Sequence, residues 1–114
     1  MPNKPVNISF TFEFKRNLRT LAKKYRSIRS DIQPLIDQLQ TGALPGDQVP
    51  GVSLTIFKVR LQNHDIQKGK RSGYRCLYYL KTSSDIILVT IYSKSEQADV
   101  SAIKLRAILK EMGY

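Results

Sequence analysis

The alternation of apolar and polar residues predicts three strands in the second half of the chain. Residues 55–61 alternate, with Phe57, Val59 and Leu61 on one side of the strand and Ile56, Lys58 and Arg60 on the other. Two apolar runs follow, over 74–81 and 86–92, and only a short TSSD turn separates them. Consecutive strands of this kind predict an antiparallel meander.

Apolar residues at intervals of three and four predict three helices around these strands. The first helix covers residues 13–25. The second covers 31–40, where Ser30 has the spacing of a capping box and Pro34 falls in the first turn. A third helix begins after Ser101, whose hydroxyl is suited to cap it.

The remaining segments complete the predicted topology. Residues 8–12 alternate weakly as a first short strand, whereas 42–53 contain three glycines and two prolines and predict a loop without regular structure. The order β-α-α-β-β-β-α indicates the α+β class. Residues 1–114 are therefore expected to form one small domain, a mostly antiparallel sheet with helices on one face and the other face partly open.

The charge of the chain narrows the class of partner. It has 19 Lys and Arg against nine Asp and Glu, a formal net charge of +10. Self-repulsion of this size favours an anionic partner, with nucleic acid as the first candidate. Because no apolar run approaches the roughly 18 residues of a membrane span and the N-terminus shows no signal-peptide or myristoylation pattern, we predict a cytoplasmic protein without a membrane partner.

Several cations are predicted to converge on the open face of the sheet. Lys58 and Arg60 lie there on one strand, Arg75 begins the next strand, and Lys70 and Arg71 lie in the segment that connects the two. Such a cluster is easier to understand if a phosphate chain normally lies among the side chains. The alternative is that these cations only discourage edge-to-edge pairing of strands.

Aromatic and reactive side chains give weaker signals. Tyr74, Tyr79 and Tyr92 lie near enough to the cations to stack on unpaired bases, although tyrosines in strands more often pack in the core. Cys76, the only cysteine, is interpreted as a core residue, and His64, the only histidine, as a solvated loop residue rather than a general base. The sequence contains no spacing typical of a metal or nucleotide-phosphate site, so no metal or cofactor is predicted.

Three stretches of the sequence, in order along the predicted elements, carry a family resemblance. They are KKYRSIRSDIQPLIDQL, then FKVR followed by KGKRSGYRCLYY, and finally ILVTIYSKSEQADVS before the last helix. With them, nearly the whole chain resembles the RelE/ParE superfamily of toxins from toxin–antitoxin modules, and it is most similar to the RelE and HigB-like ribonuclease branches. The resemblance implies a RelE-like fold and a metal-independent endoribonuclease that enters the ribosomal A site, cuts messenger RNA and so inhibits translation. The implied partners are messenger RNA on the ribosome, with ribosomal RNA contacts, and a cognate acidic antitoxin.

In the chemistry of that family, the ribose 2′-hydroxyl attacks the adjacent phosphate and leaves a 2′,3′-cyclic phosphate and a 5′-hydroxyl. Tyr92 or Lys94 is expected to assist proton transfer if neighbouring cations lower its pKa. By position, the resemblance implies catalytic roles for Lys58, Arg60, Arg75, Tyr92 and Lys94, and RNA-binding roles for Lys70, Arg71 and Tyr74.

The chain also departs from the RelE pattern. RelE has an arginine after the fourth strand and a tyrosine near the last helix, where this chain has Glu96, Gln97 and Ser101. Glu96 is interpreted as a salt-bridge partner in preference to a general base. Two alternative functions stay open, a ParE-like inhibitor of DNA gyrase and a non-catalytic nucleic-acid-binding member. The cationic cluster favours the nuclease, because a gyrase inhibitor has no need to bind phosphate.

Overall fold

The computed structural model describes residues 5–66 and 72–114, and within them it contains three helices and five strands. In chain order these are β1 Asn7–Phe10, α1 Phe12–Lys24, α2 Ile28–Gln40, β2 Asp47–Gln48, β3 Ile56–Leu61, β4 Tyr74–Thr82, β5 Asp85–Ser93 and α3 Ala102–Glu111. The predicted α+β class is confirmed. No helix in the described ranges is both long and apolar enough to cross a membrane.

The five strands form one open sheet in the order β1-β5-β4-β3-β2. β1 pairs with β5 in parallel, and the other neighbours are antiparallel, which confirms the predicted meander of β3, β4 and β5. The prediction that residues 42–53 lack regular structure is wrong, because Asp47 and Gln48 pair with β3. Gly46 makes this pairing possible, since a Cβ there would lie 2.4 Å from the carbonyl oxygen of Lys58.

Helices cover both faces of the sheet. The first core lies under α1 and α2, where Phe14 and Leu35 pack with Cys76 of β4, and the interpretation of Cys76 as a core residue is confirmed. The second core lies under α3, where Leu105 packs with Leu77. The expected arrangement with helices on one face therefore describes α1 and α2, while α3 covers part of the opposite face. We call the two sides the α1/α2 face and the α3 face.

α2 begins earlier than its sequence pattern predicts. Its first residue is Ile28, and Ser27 occupies the N-cap without a side-chain capping bond. Instead, the backbone N–H and the hydroxyl of Ser27 donate to the Asp65 carboxylate at 2.9 and 3.1 Å. The predicted cap at Ser30 is therefore wrong, and Pro34 lies inside the helix rather than in its first turn. The start of α2 therefore depends on a contact with Asp65, 38 residues later in the chain, and a local sequence pattern cannot predict such a contact.

Candidate nucleic-acid site

The pairing of β3, β4 and β5 aligns three predicted site residues across the sheet. Arg60 lies opposite Arg75, and Arg75 lies opposite Tyr92. Adjacent strands are about 4.8 Å apart, so the backbones of all three residues lie within about 10 Å. Lys58 precedes Arg60 by two residues and shares its side of β3, the side opposite the buried Val59. The Arg60–Arg75–Tyr92 row and Lys58 thus belong to the α3 face.

Arg75 is more buried than an open sheet face would allow. The residue is only 6% exposed, and its guanidinium donates a hydrogen bond to the carbonyl oxygen of Tyr74 at 3.2 Å. Burial, and then the positive charge of Arg60, lower the pKa of Arg75. Two arginines directly opposite each other destabilise a sheet. The sheet thus places two like charges on directly opposite residues of this face.

Asp99, which the sequence analysis did not predict, lies at the centre of the remaining contacts. The Tyr92 hydroxyl donates to Asp99 Oδ1 at 3.0 Å, while the ammonium groups of Lys58 and Lys94 lie 3.4 and 3.8 Å from the same oxygen. The hydrogen bond from Tyr92, followed by the charge of Lys58, lowers the pKa of Asp99. The Asp99 side chain is 60% exposed, so a ligand can reach it from solvent.

Tyr92 is a proton donor in this arrangement. Burial, and then the hydrogen bond to Asp99, raise its pKa to about 12, whereas only Arg75 acts to lower it. The expected condition for proton transfer, a pKa lowered by neighbouring cations, is therefore not met at Tyr92. At neutral pH its hydroxyl stays protonated, and it donates a hydrogen bond rather than acting as a base.

Of the three predicted RNA-binding residues, the structure describes only Tyr74, and it does not join the row. Tyr74 is fully buried on the α1/α2 face, where its ring centroid lies 5.9 Å from that of Tyr25. Its predicted role in stacking on RNA is wrong, because side chains alternate along a strand and Arg75, its neighbour, occupies the other face. Lys70 and Arg71 lie outside the described residues.

Glu96 forms the predicted salt bridge. Its Oε1 lies 3.4 Å from the Lys24 ammonium at the end of α1, and its Oε2 accepts a hydrogen bond from the Tyr25 hydroxyl at 3.0 Å. Burial acts to raise the pKa of Glu96, but the hydrogen bonds from Tyr25 and Lys24 outweigh it and the pKa is lowered. These contacts tie the segment after β5 to α1 and support the interpretation of Glu96 as a structural residue.

Removing the Asp99 charge is expected to change both Tyr92 and the affinity for RNA. Asp99→Asn should lower the pKa of Tyr92, because the carboxylate raises it through a hydrogen bond and through its charge. It should also tighten RNA binding about fivefold, since Lys58 and Lys94 lose a competing anion worth about 1 kcal/mol. Both changes are measurable by titration of ¹³C-labelled tyrosine and by fluorescence anisotropy.

Glu111→Gln is the matched control for this experiment, because it removes one negative charge from an exposed position at the far end of α3. Equal RNA affinities of Asp99→Asn and Glu111→Gln would show that Asp99 does not compete with RNA for the lysines.

The described residues offer no group of three or more His, Cys, Asp or Glu side chains that can hold a metal ion. The site is instead a row of two arginines and a tyrosine on the α3 face, flanked by Lys58 and Lys94 and bridged by Asp99. The chain matches no protein-family model, and no curated protein is significantly similar to it.

Proposed function

We propose that this protein is the toxin of a toxin–antitoxin module and acts in the cytoplasm as a ribosome-dependent endoribonuclease that cuts messenger RNA and inhibits translation. The observation that carries the proposal is the Arg60–Arg75–Tyr92 row with Lys58 on the same face. The resemblance of the sequence to the RelE and HigB-like toxins, stated above, gives this row its reaction class.

The row suits cleavage of a phosphodiester by its own 2′-hydroxyl. As the 2′-hydroxyl gives its proton to water and its oxygen bonds to phosphorus, negative charge grows on the non-bridging oxygens, and donors already aimed at those oxygens lower the barrier. Arg75 can offer two parallel N–H groups to a phosphate, and Arg60 lies opposite it. When the bond to the 5′-oxygen breaks, that oxygen gains a proton; we assign Tyr92 as its donor, and Tyr92 then takes a proton back from water. Lys58 and Lys94 hold the phosphate after it displaces Asp99.

A ribosome assay tests the proposal directly. Purified protein added to a translating extract should arrest synthesis and cut the message in frame with its codons, and the upstream fragments should end in a 2′,3′-cyclic phosphate. Translation that continues at the normal rate with an intact message would rule out the nuclease. Arrest of DNA supercoiling by gyrase without cleavage of the message would support the ParE-like alternative instead.

The cognate partner is proposed to be a small acidic antitoxin that covers the α3 face. Electrostatic complementarity to a chain of charge +10 would speed its association and make the complex sensitive to salt. Coexpression with the product of the neighbouring reading frame should relieve growth arrest and yield a stable complex. Harmless overexpression of the chain alone, as folded protein, would count against a toxin.

Salt dependence tests whether the row meets phosphates. Each lysine or arginine that neutralises a phosphate of single-stranded RNA contributes about 0.7 to the slope of log affinity against log salt concentration. Arg60→Gln and Lys58→Gln should therefore each reduce the slope by about 0.7. Lys110→Gln, at an exposed position in the last turn of α3, should leave the slope unchanged. An unchanged slope in all three variants would exclude phosphate contacts at the row.

A further inference from the structure

His64 is held by a buried carboxylate on the opposite side of β3 from the row. Asp31, on α2, has a side chain that is only 1% exposed, whereas the His64 side chain is 65% exposed. One oxygen of Asp31 contacts Nδ1 of the ring, and the other accepts the backbone N–H of His64 at 3.1 Å. The interpretation of His64 as a solvated loop residue is therefore incomplete, because Asp31 fixes both its backbone and its ring.

This contact determines which ring nitrogen can face a ligand. A carboxylate only accepts hydrogen bonds, so Nδ1 carries the proton that points to Asp31. The second nitrogen, Nε2, has no partner within 5–66 and 72–114 and lies on the exposed part of the ring. A protonated Nε2 is an oriented cationic donor, the arrangement that suits binding of an anion.

His64 and Asp31 line a cleft of about 590 Å³ between α2 and β3. Its polar lining also includes Lys58 and Arg60 of β3, Asp47 of β2 and Gln38 of α2. β2 pairs only with Phe57 and Lys58, so the outer edge of β3 beyond Lys58 borders the cleft. Lys58 and Arg60 therefore belong both to the cleft and to the α3 face, and the two sites are continuous around the edge of β3.

We propose that this cleft is a second RNA subsite, in which Nε2 of His64 and the guanidinium of Arg60 bind the phosphate of a nucleotide that flanks the one at the Arg60–Arg75–Tyr92 row. The inference rests on the proposed function and extends it to a binding path for single-stranded RNA. The strand crosses from Tyr92 over β4 to β3, a distance of about 10 Å, and turns around the edge of the sheet into the cleft.

Charged groups from three elements line the cleft beside His64: Asp31 of α2, Lys58 and Arg60 of β3, and Asp47 of β2. Asp31 is already paired with the His64 ring. Lys58 and Arg60 are therefore the cations of the cleft that can accompany Nε2 at a bound phosphate.

A single histidine makes the experiment specific, because the ring signals of His64 are the only imidazole signals of the untagged chain. A 2′-O-methyl tetranucleotide, which lacks the attacking hydroxyl, serves as an uncleavable ligand. Its addition at pH 6 should shift the His64 signal saturably. Fluorescence anisotropy of a labelled copy of the ligand shows when binding is saturated. A His64 signal that does not shift at saturation would overturn the subsite.

His64→Asn is the matched variant, because the asparagine amide still donates to Asp31 from the position of Nδ1 while Nε2 is lost. Its affinity for the tetranucleotide at pH 6 should be about fivefold lower than that of the parent. An affinity equal to that of the parent would overturn the assignment, and the shift of the His64 signal in the parent decides the question if the variant does not fold. If the protein cuts message on ribosomes but the His64 signal does not shift with the ligand, only the subsite is rejected. If the His64 signal shifts but no message is cut, only the nuclease is rejected.

Discussion

Arg75→Met is expected to cut ribosome-bound message roughly a hundredfold to a thousandfold more slowly than the parent protein, the usual loss for one transition-state donor. The strand β4 fixes the Arg75 backbone between Arg60 and Tyr92, and its guanidinium is largely buried. The guanidinium therefore needs little rearrangement when negative charge develops on a phosphate beside it. Single-turnover cleavage at saturating ribosomes measures the effect separately from binding.

The choice of methionine separates charge from packing. Methionine keeps an unbranched apolar stem of similar length, so the buried part of the side chain stays filled. Removal of its charge relieves the like-charge pair with Arg60 but also loses the hydrogen bond to the Tyr74 carbonyl oxygen. Because the two effects oppose each other, the variant should unfold within a few degrees of the parent. Slower cleavage with an unchanged unfolding temperature would show that Arg75 contributes to the reaction and not to the stability of the fold.

Arg75→Lys tests the geometry of the group. Lysine keeps the charge but places it as a point on a flexible stem, without the two parallel donors that a phosphate accepts. We expect it to recover less than a tenth of the parent rate. A Met or Lys variant that folds normally and cuts at nearly the parent rate would show that the row is an electrostatic contact surface and that the reaction occurs elsewhere.

The row was predictable from sequence because it depends on a period of two. Once strand 55–61 is identified, alternation alone places Lys58 and Arg60 on the same side, opposite Val59 and Leu61. The same rule excludes Tyr74 from the site, since Arg75 and Tyr74 are neighbours and occupy opposite faces. The error at Tyr74 came from grouping tyrosines by proximity in sequence instead of applying the alternation.

Asp99 and Asp31 were not predictable in the same way. Asp99 lies in an irregular segment, and its position depends on where α3 docks after the Ser101 cap. Asp31 meets His64 across 33 residues of sequence, and the pair exists only because α2 packs beside the end of β3. Contacts of this kind depend on tertiary packing, which local periodicity does not contain. The one available signal for Asp99 was its negative charge in a chain of net charge +10.

Gly73→Ala is expected to destabilise the protein by about 3 kcal/mol, the upper part of the range for an overpacked core. Gly73 begins the GYR motif, immediately before β4. A Cβ at this position would lie 2.0 Å from the carbonyl oxygen of Leu61 and 3.0 Å from the backbone nitrogen of Asn63. Its own carbonyl oxygen accepts the N–H of Lys94 at 2.9 Å. The residue is thus confined by backbone on both sides and cannot move away from either strand.

The clash must open the pairing of Leu61 with Tyr74, one residue before the Arg60–Arg75 pair. Urea unfolding should show a midpoint about 1–3 M below that of the parent, from the expected slope of about 1–3 kcal/mol per molar urea. Gly42→Ala is the matched control, because its Cβ would meet no atom within 4 Å and only the positive φ of 94° is strained, a cost of about 1–2 kcal/mol. If Gly73→Ala loses no more stability than Gly42→Ala, the close approach of β3 to residue 73 is not a constraint on the fold, and the glycine of the GYR motif needs another explanation.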